Sequence, residues 1–389
     1  MKKLITLLFI AGSLFLRPDP VLGQTPLASP PGVNRQLNDL ANRFNSLEAS
    51  WGRFQIGGNF SIEADSGLEN HYTQFQPLTF EQKMGLYLNA GIDQNLSFSL
   101  NLSHDGGWGN YSRDPLAAPL QLDEAFIKME YPHTSNYLGR FRFSFGPLGL
   151  ISDFFNNPAE GLVLQHAFKD FHVIGLYSRM YTQYVPGTTQ LQSTQDYFAA
   201  RLGWSNQSTI IGLNLVPKGM AAEKAFSLDL STTLSAGKIA AEVGWYSFDS
   251  PRYPDFRTGW TPGVLISFGH ELKDNAYFQA KLGYISQNFQ PTATSLNHAP
   301  DDMREWFTPN NYGLELSLQN KLENNFLLEN RLLVTNPVKD VDQSGTNYRW
   351  RGDVAKILSP LNQVQFGVEV NQNRNSNHNF LFANWNLQF

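Results

Sequence analysis

The sequence has 389 residues, 41% hydrophobic and 13% aromatic but only 16% charged, with a formal net charge of −5 and a mean hydropathy of −0.32. Soluble enzymes carry about 25% charge, and no apolar run beyond the N-terminus approaches the roughly 20 residues of a spanning helix. The negative balance and the lack of a basic, aromatic-interleaved stripe argue against nucleic-acid binding, and zero cysteines exclude disulfides and thiolate chemistry.

The chain opens MKKLITLLFIAGSLFL, with Lys2 and Lys3 ahead of an apolar stretch from Leu4 to Leu16 and small-residue cleavage candidates near Gly23 or Ala28. This pattern predicts a signal peptide over residues 1–23. A Pro-rich linker is expected over 24–32. Residues 33–51, VNRQLNDLANRFNSLEASW, place Val33, Leu37, Leu40, Phe44, Leu47 and Trp51 at spacings of four, three, four, three and four. That is a heptad seam on a helix about 28 Å long. A helix so short is marginal alone and must pack on something. Two partners stay open: sister helices in a homotrimer, or the mouth of the chain's own barrel. Phe44 and Trp51 are bulky for a two-stranded core, which favours three strands, with Leu37, Leu40, Phe44, Leu47 and Trp51 as the oligomerisation face.

From residue 52 to 389 the period changes to two. In LSFSLNLS, Leu96, Phe98, Leu100 and Leu102 alternate with Ser97, Ser99, Asn101 and Ser103, the pattern of a strand with one apolar and one polar face. About 18 such segments follow, and short turns alternate with mostly longer loops. The expectation is an all-β, closed, antiparallel up-and-down transmembrane barrel of about 18 strands. Sixteen is the alternative, because 160–168 and 207–216 are short. A polar inner face also explains how an aromatic-rich membrane chain stays hydrophilic on average.

The last segment, FLFANWNLQF, puts Leu381, Ala383, Trp385, Leu387 and Phe389 on one parity and Asn384, Asn386 and Gln388 on the other. It is expected to face lipid and to close the barrel against the first strand. With the signal peptide and the alternating strands, this terminal strand resembles Gram-negative outer-membrane porins. The resemblance implies that Trp385 and Phe389 belong to the signal read by the barrel-assembly machinery. The heptad helix is similar to that of porins with a short periplasmic coiled coil, some of which carry an S-layer-homology domain that this sequence lacks. Also implied are the cell outer membrane as location, outer-membrane lipid as a partner, a homotrimer, and passive diffusion of small hydrophilic solutes through a weakly ion-selective pore. A sugar- or oligosaccharide-specific channel and a non-conducting tethering or adhesion barrel are the alternatives.

Parity assigns faces to the charged residues. If Phe141, Phe143 and Phe145 face lipid, then Arg140, Arg142 and Ser144 face the lumen; the same rule places Arg179 and Arg201 inside on neighbouring strands. Arg349, Arg351 and Asp353 form a second inward cluster. An Arg at the lipid midplane would cost about 2–4 kcal/mol. The arginines are either ordinary wall charges or the constriction of a pore. The loop GPLGLISDFFNNPAEG, 146–161, is too apolar for a loop in water. Folded into the lumen it would set Asp153 and Glu160 against the basic wall, as the constricting loop of general porins does after the fifth strand; packing on a neighbouring subunit is the other reading. Inward acids and bases nearly balance, as in a weakly selective pore. No GxSxG, P-loop or HExxH motif is present, so no catalytic residue, cofactor or metal is expected. The two carboxylates of HAPDDMREW, 298–306, are weak evidence for a calcium site.

Overall fold

The computed structural model describes residues 54–67, 79–108, 121–152, 158–182, 193–219, 223–248, 258–273, 275–289, 307, 309–339, 345–372 and 377–389. The first nine strands are β1 Phe54–Gly67, β2 Thr79–Gly91, β3 Leu96–Trp108, β4 Gln121–Tyr131, β5 Thr134–Phe141, β6 Ala159–Phe168, β7 Phe171–Thr182, β8 Ser193–Ser205 and β9 Thr209–Lys218. The second nine are β10 Glu223–Leu234, β11 Gly237–Phe248, β12 Thr258–Lys273, β13 Ala276–Ile285, β14 Asn311–Leu322, β15 Phe326–Pro337, β16 Asn347–Ser359, β17 Asn362–Gln372 and β18 Asn377–Gln388.

Each strand pairs antiparallel with its chain neighbours, and β1 also pairs with β18 from Asn59↔Gln388 to Gly67↔Phe380. Phe389 N–H donates to Gly58 O at 2.9 Å and Gly58 N–H returns a bond to Phe389 O at 2.8 Å. The sheet is therefore a closed 18-stranded barrel with no unpaired edge, which satisfies the backbone of every strand. The terminal residue is itself part of the closure. Short turns are built by local chemistry. Asn324 and Asn325 both adopt positive φ between β14 and β15, a conformation Asn tolerates. The Asn206 carboxamide oxygen accepts from the N–H of Ser208 and of Thr209.

The wall is apolar outside and polar inside. On β10, Glu223, Ser227 and Asp229 are buried within the barrel, whereas Leu228 on the other face is 53% exposed. Leu164, Leu202, Leu282 and Phe366 expose half or more of their surface outward. Buried carboxylates and exposed leucines invert the soluble rule and suit a wall set in lipid. On β18 the outward set is Leu381, Ala383, Trp385, Leu387 and Phe389, the parity expected for it.

The expected architecture needs one correction. It joined the barrel to a preceding heptad helix, but among the described residues there is no α-helix, only the single 3-10 turn Glu323–Asn325. Among the described residues the fold is the barrel alone. The signal peptide, the linker and the heptad segment with Leu37, Leu40, Phe44, Leu47 and Trp51 lie outside the described residues. A second difference concerns β5: the alternation of Phe141, Phe143 and Phe145 reads as one continuing strand, but the strand ends at Phe141. Beyond it the chain leaves the wall and enters the barrel.

Candidate functional site

The inward turn after β5 uses two glycines of positive φ, Gly146 and Gly149, where any side chain would be strained. Phe145, Leu150, Ile151 and Ser152 are essentially fully buried inside the barrel. Phe145 N–H donates to Ser152 O at 3.0 Å, closing the segment on itself. It packs against β8 and β11, several strands from its origin. The Tyr197 hydroxyl of β8 donates to Ser152 Oγ at 3.2 Å, and Leu150 N–H donates to Glu242 Oε2 of β11 at 3.3 Å. Gly244 makes room, because a Cβ there would lie 3.0 Å from Leu150 and 3.1 Å from Ile151.

The wall beneath is a continuous polar network. Ser227 Oγ donates to Glu242 Oε1 at 2.7 Å, and Asn214 Nδ2 donates to Ser227 Oγ at 2.9 Å and to Asp229 Oδ2 at 2.8 Å. Arg201 donates to Asn214 Oδ1 at 2.7 Å and forks onto Asp229 with Nη1 and Nη2. Four strands, β8 to β11, thus connect the Arg201 guanidinium to the backbone of the inserted loop. Each buried charge in the run has a partner, as low dielectric demands.

A second inward charged tract runs from β13 to β17. Lys281 lies 3.1 Å from Glu315, and Arg331 bridges Glu329 at 2.9 Å and Glu315 at 3.7 Å. Arg349 pairs with Glu369 at 2.5 Å and Arg351 with Asp353 at 3.3 Å. The Arg351 guanidinium also lies 4.2 Å from the centre of the Phe382 ring, a cation–π contact. Above this tract two aromatic residues that follow β13 also lie inside the barrel. Phe289 seats over Gly263 and Phe307 over Gly283, both rings fully buried. Opposite, β2 and β3 present Asn89, Ser97, Ser99 and Asn101 to open lumen, with Ser99 donating to Asn89 at 2.7 Å.

The residues singled out in the sequence divide. Arg201, Arg349 and Arg351 are on the lumen face, and Arg349 and Arg201 are buried there in ion pairs. Arg140 and Arg179 are not on that face, which corrects the parity assignment. Cross-strand partners share a face: Phe141 and Ala159, a directly opposed pair, are both buried inside, so the next pair, Arg140 and Glu160, points outward. There the two form a 2.6 Å ion pair. Arg179 opposes Asp196 on the outward face, 3.9 Å away and 67% exposed, while Ser178 beside it is buried inside. Arg142 lies past the end of β5, its N–H donating to Glu124 at 3.0 Å and its guanidinium 3.6 Å from Asp123. Phe141, Phe143 and Phe145 do not face lipid; they pack in the inner apolar cluster with Leu150, Val163 and Leu176. Glu160 therefore does not belong to the inserted loop's inner face. Asp153 and the 298–306 acidic stretch lie outside the described residues. Trp385 faces outward, its indole N–H donating to Asn362 at 2.8 Å. Glu242, Asn214 and Tyr197 hold the loop but escaped sequence reasoning, since nothing local marks a wall residue as a loop anchor.

No family model and no curated relative matches the sequence. Solved structures match the chain in fold. OccK3 (OpdO) of Pseudomonas aeruginosa superposes with a TM-score of 0.62 at 12% identity, covering 89% of this chain and 98% of that one. OccK2 (OpdF) of the same organism, solved in complex with glucuronate, gives 0.61 at 12% identity over 86% and 98%. OccK11 (OpdR) gives 0.60 at 11% identity over 86% and 96%. At these identities the likeness is one of fold.

Proposed function

We propose that the chain is an outer-membrane porin, passing small hydrophilic solutes by passive diffusion through a water-filled pore of weak ion selectivity. The carrying observation is a closed 18-strand wall, apolar outside and charged inside, whose lumen is narrowed from one side by the segment after β5. The opposite side of the lumen stays polar and open. Weak selectivity follows from pairing: the basic side chains on the inner face of β8 and β13 to β16 lie beside carboxylates, so their fields largely cancel. In this reading the constriction lies between the Gly146–Ser152 segment and the open wall, and Arg349 and Arg351 line the path beyond it. Phe389, at the closing seam, suits a signal read by the barrel-assembly machinery. Purified protein in a planar bilayer tests the proposal. Stable, ohmic steps are expected, and silence over many insertions would overturn it in favour of a non-conducting barrel.

A solute-specific channel is the second reading. Arg351, 29% exposed beside a carboxylate and over an aromatic ring, is the kind of group that binds a polar ligand, and one protein of the same fold was solved with glucuronate. Saturable block of single-channel current by acidic or neutral sugars would support that reading over simple diffusion.

A further inference from the structure

The outward face of the barrel should be free of charge, yet one sector is not. Toward the long loops, Arg140 on β5, Arg179 on β7, Lys218 on β9 and Lys224 on β10 all point outward, accompanied by Glu160 on β6 and Asp196 on β8. Lys218 lies opposite Phe198 across a bulge, with its ammonium 5.7 Å from that outward ring. Lys224 follows the outward parity of Phe226 and Leu228. On the strands β11 to β18 and β1 to β3, the described outward side chains toward the long loops include no Lys, Arg, Asp or Glu.

These charges have a defined height. Arg179 is two residues beyond Tyr177, Asp196 two beyond Phe198, and Lys224 two beyond Phe226, in each case on the loop side. Phe226 stacks on Trp245 at 4.9 Å and meets Trp260 edge-on at 5.3 Å, an outward aromatic belt of the kind found at headgroup level. At about 3.3 Å per residue the charges lie about 7 Å beyond the belt, among headgroups rather than acyl chains. Four cations face two carboxylates, and no carboxylate lies within pairing distance of Lys218 or Lys224 among the described residues. Arg179 is only loosely paired at 3.9 Å, because Asp196 also accepts from the Tyr177 hydroxyl at 3.1 Å.

We propose that this sector, β5 to β10 above the aromatic belt, is a binding surface for a phosphate-bearing lipid headgroup of the outer leaflet. The choice of leaflet rests on the porin reading, which turns the long loops outward. Cations spread over six strands, about 4.8 Å apart, suit a headgroup with more than one phosphate. Charge complementarity selects it over a neutral lipid, and the aromatic belt beneath fixes the acyl boundary.

The test is native mass spectrometry of the full chain in neutral detergent, titrated with a bisphosphorylated glucosamine-disaccharide lipid and with the same lipid dephosphorylated. The phosphorylated form should bind more tightly, and excess inorganic phosphate should not displace it. At about fivefold per cation near a headgroup, K218Q/K224Q should bind it about 25-fold more weakly, while K218R/K224R binds like the parent. Equal binding of the two lipids, displacement by inorganic phosphate, or an unchanged K218Q/K224Q would overturn the proposal. Bilayer recordings of the same samples separate the two readings: both variants should conduct like the parent, whereas silent bilayers with intact lipid binding would overturn the porin and leave the lipid surface standing.

Discussion

The two sides of the lumen are built on opposite rules. From β8 to β12 the inner wall is covered by the chain's own loop, so Tyr197, Asn214, Asp229 and Glu242 are buried; Asp229 is paired with Arg201, and Glu242 accepts from the Ser227 hydroxyl and the Leu150 N–H. On β2 and β3 the inner wall carries Asn and Ser in contact with open lumen, and the charges on the inner faces of β1, β2 and β4, Glu63, Lys83, Glu124, Lys128 and Glu130, are none of them buried. A charge on the covered side has lost its water and depends on its partner; a hydroxyl on the open side can exchange its partner for water at little cost. The same barrel therefore has one side behaving as a protein core and another behaving as a solvated surface.

Substitutions should break this contrast in a graded way. Arg201→Ala strands Asp229 in the covered wall, and removing one partner of a buried pair costs about 3–5 kcal/mol. Urea unfolding of the barrel in lipid should show the largest loss in the series for this variant, and a loss below about 1 kcal/mol would mean that the covered side is hydrated after all. Next comes Gly244→Val, which drives methyl groups into Leu150 and Ile151. Overpacking costs about 1–3 kcal/mol, relieved here by displacing the inserted loop, so single-channel conductance should rise while the barrel stays closed. Conductance equal to the parent's would place the constriction elsewhere.

Smaller effects should come from the tract beyond. Arg351→Gln removes a partly exposed cation and leaves Asp353 in the lumen, so the reversal potential in a KCl gradient should move toward cation selectivity with little change in stability. Movement toward anions would show that Asp353 does not face the conducting path. Smallest of all is Ser99→Ala on the open side. It loses a bond to Asn89 that water replaces, and both stability and conductance should stay within about 0.5 kcal/mol or its equivalent of the parent. A large effect there would erase the distinction between the two sides.

How much of this was legible in the sequence follows the same division. Where the inner face is polar, as in β2, β3, β16 and β18, period two separates the faces unambiguously; Arg349, Arg351 and the terminal aromatic set fall where parity put them. Where the loop covers the wall, the inner face is apolar too. In β7, FHVIGLYSRMYT, Ile174 and Leu176 point inward and Val173 and Tyr177 outward, so the contrast that sets the phase is gone and parity sends Arg179 to the wrong side. In GRFRFSFG the pattern points the phenylalanines at lipid, because the apolar set of a barrel strand usually faces it. Here they are the hydrophobic partners of Leu150 and Ile151, and the strand stops at Phe141. The glycines of GPLG were the one local signal that the chain leaves the wall early.

By itself, the sequence determined the class of barrel, a strand count of about 18 with 16 left open, and the sorting of short turns to one rim and longer loops to the other. These depend on local quantities: a two-residue period, a strand length matched to the bilayer, and turn residues. Only the tertiary structure decided where the inserted segment lands, which face Arg140, Glu160 and Arg179 take, and which carboxylate neutralises which cation. Those depend on contacts between residues far apart in the chain, such as Leu150 with Glu242, and on cross-strand register. A register change of one residue moves a whole strand's side chains to the other face, and no local pattern in an apolar-on-both-sides strand records that choice.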